Sequence, residues 1–191
     1  MQFLTDLFKA QTYDSNNFFL IAGPCVVEDE TLVMEIADKV YSICKNLGIP
    51  YIFKASYRKA NRTSASSFTG IGDQPAMELI RKVGQTYNLP TTSDIHAHEE
   101  AAEAAKYIDV LQIPAFLCRQ TDLLVAAAQT GKIVNVKKGQ FLSGESMKFA
   151  VGKIQKAGNE KVLPRSVSIT FSFPAFCILP TANFIDSPLR N

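Results

Sequence analysis

The sequence predicts an α/β protein whose parallel sheet forms part of a (β/α)8 TIM barrel, and three observations predict it. Short β-rich runs alternate with amphipathic stretches from Phe18 to Ala157, a rhythm that requires right-handed βαβ crossovers and hence a parallel sheet. Polar residues gather toward the C-terminal ends of several runs, at Lys54 and Ser56, Asp94, Gln112, and Asn135 and Lys137. Barrel enzymes build their sites at that end, from several strands at once. No Gly-x-Gly-x-x-Gly follows the first run, which weakens the competing reading, an open doubly wound sheet with a dinucleotide site.

The elements follow in order. Phe18-Phe-Leu-Ile-Ala22 is a continuous apolar run, as in a strand buried on both faces, and Gly23-Pro24 stops it. Thr31 is placed to cap a helix whose apolar residues Leu32, Val33, Ile36, Val40, Ile43 and Leu47 recur at helical spacing, with Gly48 as its end. A strand begins at Tyr51. Pro75 suits the first position of a second helix, with Ala76, Ile80, Val83 and Tyr87 as its stripe. Thr91 to Ile95 is a third strand, and alanine-rich Glu99 to Tyr107 a third helix. Val110 to Ala115 and Ile133 to Lys137 are further strands, with a helix from Thr121 to Thr130 between them that Gly131 ends. Ser143 or Ser146 would cap the last helix, whose stripe is Met147, Ala150, Val151, Ile154 and Ala157.

Composition narrows the function classes. At 191 residues, 47% of them hydrophobic, the chain can bury one sizeable core. A net charge of +2 is too small for a general nucleic-acid binder, so the cations near residue 60 are a local feature. The four cysteines form no Cys-x-x-Cys pair, which suits a reduced cytoplasmic protein. Met1 to Asp6 has no secretory pattern, and the longest apolar stretch, Phe18 to Val27, is too short to span a bilayer. No membrane partner is expected.

The chemistry concentrates in residues 51–72. Period-2 alternation puts Ile52, Lys54 and Ser56 on one face of a strand, and the following loop crowds Arg58, Lys59, Asn61, Arg62, Thr63 and Ser64 beside its end. An ammonium supplies a point charge, a guanidinium a bidentate fork, and hydroxyls complete an oxygen shell, a combination suited to a phosphate ester. Residue types alone leave a solvated basic loop equally open. Lys54 and Lys137 lie on different strands and, in a barrel, project into one mouth. Lys138 is the alternative to Lys137, and alternation from Asn135 favours Lys137.

Lys54-Ala-Ser56 followed by Lys59-Ala-Asn-Arg-Thr-Ser64 resembles the signature of the 3-deoxy-D-manno-octulosonate 8-phosphate synthase family. Ile21-Ala-Gly-Pro-Cys25, Thr92-Ser-Asp-Ile-His96, Gln112 to Leu123 and Asn135 to Phe141 resemble the same family, in family order. The resemblance implies condensation of phosphoenolpyruvate with D-arabinose 5-phosphate, in the cytoplasm, by a homo-oligomer (a tetramer). It implies that Lys54, Ser56, Gln112, Ala115 and Lys137 hold phosphoenolpyruvate, that Lys59 and Asn61 orient the aldose phosphate, and that Arg62 and Thr63 grip its distal phosphate. Lys54, Lys59 and Asn61 would be the catalytic group. Cys25, bottom-up more often a small buried residue than a ligand, would by resemblance be one ligand of the divalent zinc, iron or manganese ion of the complete family, which one thiolate alone is not expected to bind tightly in this chain; no organic cofactor is implied. His96 and His98 invite a metal reading too, but one ends a strand and the other opens a helix, so structural roles are expected. The family carries an acidic residue where this chain has Arg58, and the role of that position stays open.

The resemblance covers residues 18–162, which would be five βα units and the start of a sixth strand at Lys161-Val162. Residues 163–191 form a tail without it, expected to arise from a frameshift, a splice variant or a gene-model error, or to be a divergent end. In the tail, Val167 to Phe173 alternates as a half-buried strand does, and Pro174 would end it. Three function readings follow: the octulosonate synthase, a non-catalytic fragment that binds anionic metabolites or a full-length partner, and the related 3-deoxy-D-arabino-heptulosonate 7-phosphate synthase, which uses a shorter aldose phosphate. The Lys59-to-Arg62 loop points to the first.

Overall fold

The structure is a computed structural model and describes residues 2–62, 64–163, 168–172 and 181–182. Five parallel strands, β1 (Phe19–Ala22), β2 (Tyr51–Lys54), β3 (Thr91–Asp94), β4 (Val110–Ile113) and β5 (Ile133–Val136), lie side by side in sequence order. A doubly wound sheet reverses its strand order part-way. Among these five strands no reversal occurs, so their crossovers all turn the same way and their helices fall on one face. That is the winding of a barrel, here incomplete.

Those helices are α2 (Glu30–Leu47), α3 (Asp73–Tyr87), α4 (Glu100–Ala104), α5 (Thr121–Gln129) and α6 (Met147–Lys156). Their stripes, among them Val33, Ala37, Ile80, Val83, Leu124 and Ile154, pack on the outward strand residues Phe53, Leu111, Ile113 and Val134. The inward residues Phe19, Ile21, Ile52, Val110 and Ile133 form a second apolar cluster. A short helix, α1 (Gln2–Leu7), inserts Leu4 there, and Phe8 follows it; both are buried. Burying these two side chains stabilises the fold by about 1.5–3 kcal/mol each. The sequence reading did not anticipate α1.

Other details depart from expectation for local reasons. Asp29, not Thr31, caps α2, accepting the Leu32 N–H at 2.8 Å. Pro75 is the third residue of α3 rather than the first, a position whose N–H also has no intrahelical acceptor. The helix read from Glu99 to Tyr107 is α-helical only over α4, because Lys106 and Tyr107 donate to the carbonyls three residues back and tighten the last turn. Ser146 flanks α6, but its hydroxyl caps nothing; Ser143 Oγ accepts the Ser146 N–H instead.

The two sheet edges are treated differently. Beyond β5, Val162 makes one parallel bridge to Val134, so among the described residues the expected sixth strand is seen as its first contact. Beyond β1, the strand β6 (Ser168–Ser172) pairs in parallel, Phe19 with Ser168 through Ile21 with Thr170, and β7 (Thr181–Ala182) follows it antiparallel. The alternation read from Val167 to Phe173 thus coincides with a strand, although those two end residues lie outside the described residues. Among the described residues no helix is long and apolar enough to cross a membrane.

Candidate active site

Strand register builds the site. Lys54 pairs with Thr92, Asp94 with Gln112, and Gln112 with Asn135. Alternation then turns Lys54, Asp94, Gln112 and Asn135 inward, one layer above the apolar cluster. All four are buried, Lys54 with 1% of its surface exposed.

Buried polar groups must find partners, and these find one another. Lys54 Nζ donates to Ser56 Oγ at 2.8 Å, and Ser56 Oγ donates to Asp94 Oδ2 at 2.9 Å. Gln112 Nε2 donates to Asp94 Oδ1 at 2.6 Å and Asn135 Nδ2 to Gln112 Oε1 at 2.9 Å, so one amide orientation of Gln112 satisfies both bonds. Burial pulls the Lys54 ammonium down to about 8; Asp94 and Cys25 work against that, while Lys59 and Lys137 add to it. Burial would raise Asp94, but Lys54, Lys137 and the hydrogen bonds from Gln112 and Ser56 outweigh it and hold the carboxyl well below the usual carboxylate range.

Above this layer opens a cavity of about 310 Å³, bordered by Ser56, Arg58, Lys59, Asn61, Asp94, His96, Ala115, Lys137 and Gln140. Cations from the β2–α3 loop and from the end of β5 therefore face one space. Lys137 borders it, whereas Lys138 donates to the carbonyls of Gly139 and Leu142 and holds its own loop. Gln112 lies in the buried layer below the cavity, next to Asp94. Arg62 is exposed and donates to the Lys59 carbonyl at 2.9 Å. Thr63 lies outside the described residues.

His96 and His98 part company, as their placement in the sequence implied. His98 is 58% exposed beside Glu99, while His96 is 12% exposed at the cavity. His96 Nδ1 is buried without a hydrogen-bond partner among the described residues, 3.6 Å from Glu100 Oε2. Cys25 is half-buried just past β1, close enough to act on Lys54. Among the described residues no three His, Cys, Asp or Glu side chains converge to hold a metal ion. One thiolate does not complete a divalent site, so the described donor set does not fit a resident metal.

The sequence reading passed over Asp94 and Asn135 as site residues, counting them only as polar strand ends. It also missed Tyr57 and Glu100 beside the cavity. Tyr57 donates its hydroxyl to Glu100 Oε2, and the His96 N–H donates to the same oxygen at 2.8 Å. The in-phase spacing of Lys54 and Ser56 and of Thr92 and Asp94 was the available signal for Asp94.

The DAHP synthetase I family model matches residues 9–174. The chain belongs to the DAHP synthetase I family. Within it, the chain is 53% identical over 155 residues to a 2-dehydro-3-deoxyphosphooctonate aldolase of Koribacter versatilis, covering 81% of this chain and 56% of that protein. It is 53% identical over 154 residues to the protein of the same name from Geobacter sp., with the same coverage. The Geobacter metallireducens protein of that name is 50% identical over 159 residues, 83% of this chain and 58% of its own length. The chain thus spans somewhat over half the length of these curated relatives.

Proposed function

We propose that the chain carries the phosphoenolpyruvate site and the aldose-phosphate loop of a 3-deoxy-D-manno-octulosonate 8-phosphate synthase, a transferase of lipopolysaccharide sugar biosynthesis. The observation that carries this reading is the single cavity that Lys59, Asn61 and Lys137 border above the buried Lys54–Ser56–Asp94 cluster. Two anionic substrates must be held face to face, and fixed cations at the mouth of a barrel lower the cost of bringing them together. The names of the relatives support the same chemistry.

In this reading Lys54, Ser56, Gln112, Ala115 and Lys137 serve phosphoenolpyruvate: Lys54 and Lys137 face its carboxylate and phosphate, and Gln112 acts through Asp94 to keep Lys54 in place. Lys59 and Asn61 orient the aldehyde of arabinose 5-phosphate, and Arg62 and Thr63 take its distal phosphate. C3 of phosphoenolpyruvate forms the new bond to the aldehyde carbon, whose oxygen takes up a proton. Water adds at the cationic C2 and loses a proton, and the bond from C2 to the phosphate oxygen of the hemiketal phosphate then breaks while the C2 hydroxyl passes its proton to the departing phosphate, leaving the ketone. A divalent zinc, iron or manganese ion, with Cys25 as one ligand, belongs to the complete family; the described residues do not fit it by themselves, and no step above is routed through it. A cytoplasmic homo-oligomer belongs to the same reading.

The second reading is a binding fragment without turnover. Titrating each substrate calorimetrically into the 191-residue chain, and following phosphate release with both present, separates the two. Binding with release supports the synthase, and binding without release supports the fragment. No binding of either substrate would overturn both. Faster release with a shorter aldose phosphate would favour the heptulosonate enzyme instead.

A further inference from the structure

Arg58 stands where the β2–α3 loop leaves the barrel, and its guanidinium is doubly engaged. One amino group lies 3.2 Å from Asp73 Oδ2, on the first residue of α3, and the other pairs with Glu100, the first residue of α4. Glu100 is also the acceptor for Tyr57 and for the His96 N–H. Burial pushes the Glu100 carboxyl up, but the nearby His96, through its backbone N–H, the hydrogen bond from Tyr57 and the charge of Arg58 bring it down to about 2, so it is ionised throughout the working range.

The loop is narrowed at the same level. The Lys59 N–H donates to the Thr69 carbonyl at 2.8 Å, tying the outgoing arm to the returning one. Gly70, at φ +140, lies so close to Tyr57 that a Cβ there would stand 2.7 Å from the Tyr57 carbonyl oxygen. Lys59 and Asn61 begin just beyond this neck and border the cavity.

We propose that Arg58 is a positioning residue that bolts the neck of the aldose-phosphate loop to α3 and α4, and so sets where Lys59 and Asn61 meet the ligand. The identity of that ligand rests on the function proposed above; the bolt does not. Arg58 also borders the cavity, so direct contact with a phosphate is the competing role. Charge argues against it. The two carboxylates offset the guanidinium's own charge, and both amino groups already have acceptors.

The test is hydrogen exchange on the ligand-free 191-residue chain and on Arg58→Ala, Arg58→Lys, Glu100→Gln and the Arg58→Ala/Glu100→Gln double variant, with parallel titrations of arabinose 5-phosphate and phosphoenolpyruvate. Arg58→Ala should speed exchange in residues 59–70 while β2, β3 and β4 keep their protection, and Arg58→Lys should restore part of it. The double variant should exchange no faster than the more affected single one. Arabinose 5-phosphate affinity should fall about tenfold in Arg58→Ala, the scale of one charge-assisted contact, and no further in the Glu100→Gln background, with phosphoenolpyruvate affinity unchanged. Unchanged loop exchange would overturn the proposal, as would a loss of affinity that adds fully to that of Glu100→Gln. If the wild type takes up neither ligand, the function proposed above fails, and loop exchange alone decides whether Arg58 is a bolt. If Arg58→Ala does not fold, Asp73→Asn removes one anchor, and loop exchange as slow as in the wild type would again overturn the proposal.

Discussion

Lys54 Nζ and Asp94 Oδ2 stand 3.3 Å apart at the ends of neighbouring strands, both buried beneath the cavity. Burying two charges costs about what their attraction returns, so the pair adds little net stability; removing one partner alone costs about 3–5 kcal/mol. What the pair does supply is a fixed ammonium in a dry place. Asp94 raises the proton affinity of Lys54 against burial, yet leaves it at about 8, within reach of ordinary pH changes.

Phosphoenolpyruvate affinity should therefore fall as pH rises through about 8, approaching tenfold per pH unit once binding must return one proton to Lys54. The ligand does not confuse this, since a phosphate monoester loses its second proton at roughly pH 6. Folding stability moves the other way. Unfolded Lys54 keeps its proton up to the ordinary 10.5, so the unfolded chain binds more protons between those values and this group's contribution to stability rises with pH. Calorimetry from pH 7 to 9.5 checks the first statement. Asp94→Asn should shift the midpoint to lower pH, and a flat profile in the wild type would remove Lys54 from the ligand-binding role.

Gly23 offers a test of how the strand ends are packed. Its φ is +153, and a Cβ there would lie 2.0 Å from the Lys54 carbonyl oxygen, a backbone atom that cannot yield. Gly23→Ala should cost on the order of 3 kcal/mol, the upper part of the usual range for single substitutions. The same shift would displace Lys54, so affinity for phosphoenolpyruvate should drop along with the thermal midpoint. Gly131→Ala, whose Cβ would meet nothing, carries only the strain of a left-handed backbone and should leave affinity unchanged.

Much of the fold could be read because each βα unit announces itself locally: a short apolar run, a stop, an amphipathic stripe. α1 could not, since six residues from Gln2 to Leu7 carry no cap signal and it is the burial of Leu4 among distant strands that anchors them. At the site, period-2 alternation identified Lys54 and Ser56 together. It could not join Asp94, Gln112 and Asn135, because that row depends on register between strands, which no single strand encodes. Arg58 and Glu100 are 42 residues apart, and only the packing of the loop on α4 reveals what Arg58 touches.

The β1 edge supplies a third test. The backbone of β6 pairs with Phe19, Leu20 and Ile21, while the opposite edge at β5 has, among the described residues, only the bridge from Val134 to Val162. Unpaired edges beside apolar residues recruit other chains. A chain ending at Leu163 should therefore elute as larger species than the 191-residue chain and lose cooperativity on heating. Equal elution and equal melting would show that β6 contributes nothing to covering that edge.

Arg62 supplies the last test, because its present contact is weak and its proposed one is strong. It is exposed and bonded only to the carbonyl of Lys59 among the described residues, so truncating it removes little from the folded chain; surface substitutions of this kind usually change stability by less than about 0.5 kcal/mol. A guanidinium that swings onto the distal phosphate of arabinose 5-phosphate forms two parallel bonds that a lysine cannot copy. Arg62→Ala should then weaken arabinose 5-phosphate by about ten- to a hundredfold, the scale of a charge-assisted contact of roughly 1.5–3 kcal/mol, and Arg62→Lys should recover only part of it. Phosphoenolpyruvate, which lies against Lys54 and Lys137 in the proposed arrangement, should bind both variants as it binds the wild type. Equal losses for the two ligands would show that Arg62 acts through the general field of the loop. No loss for either would return the loop to a solvated basic segment.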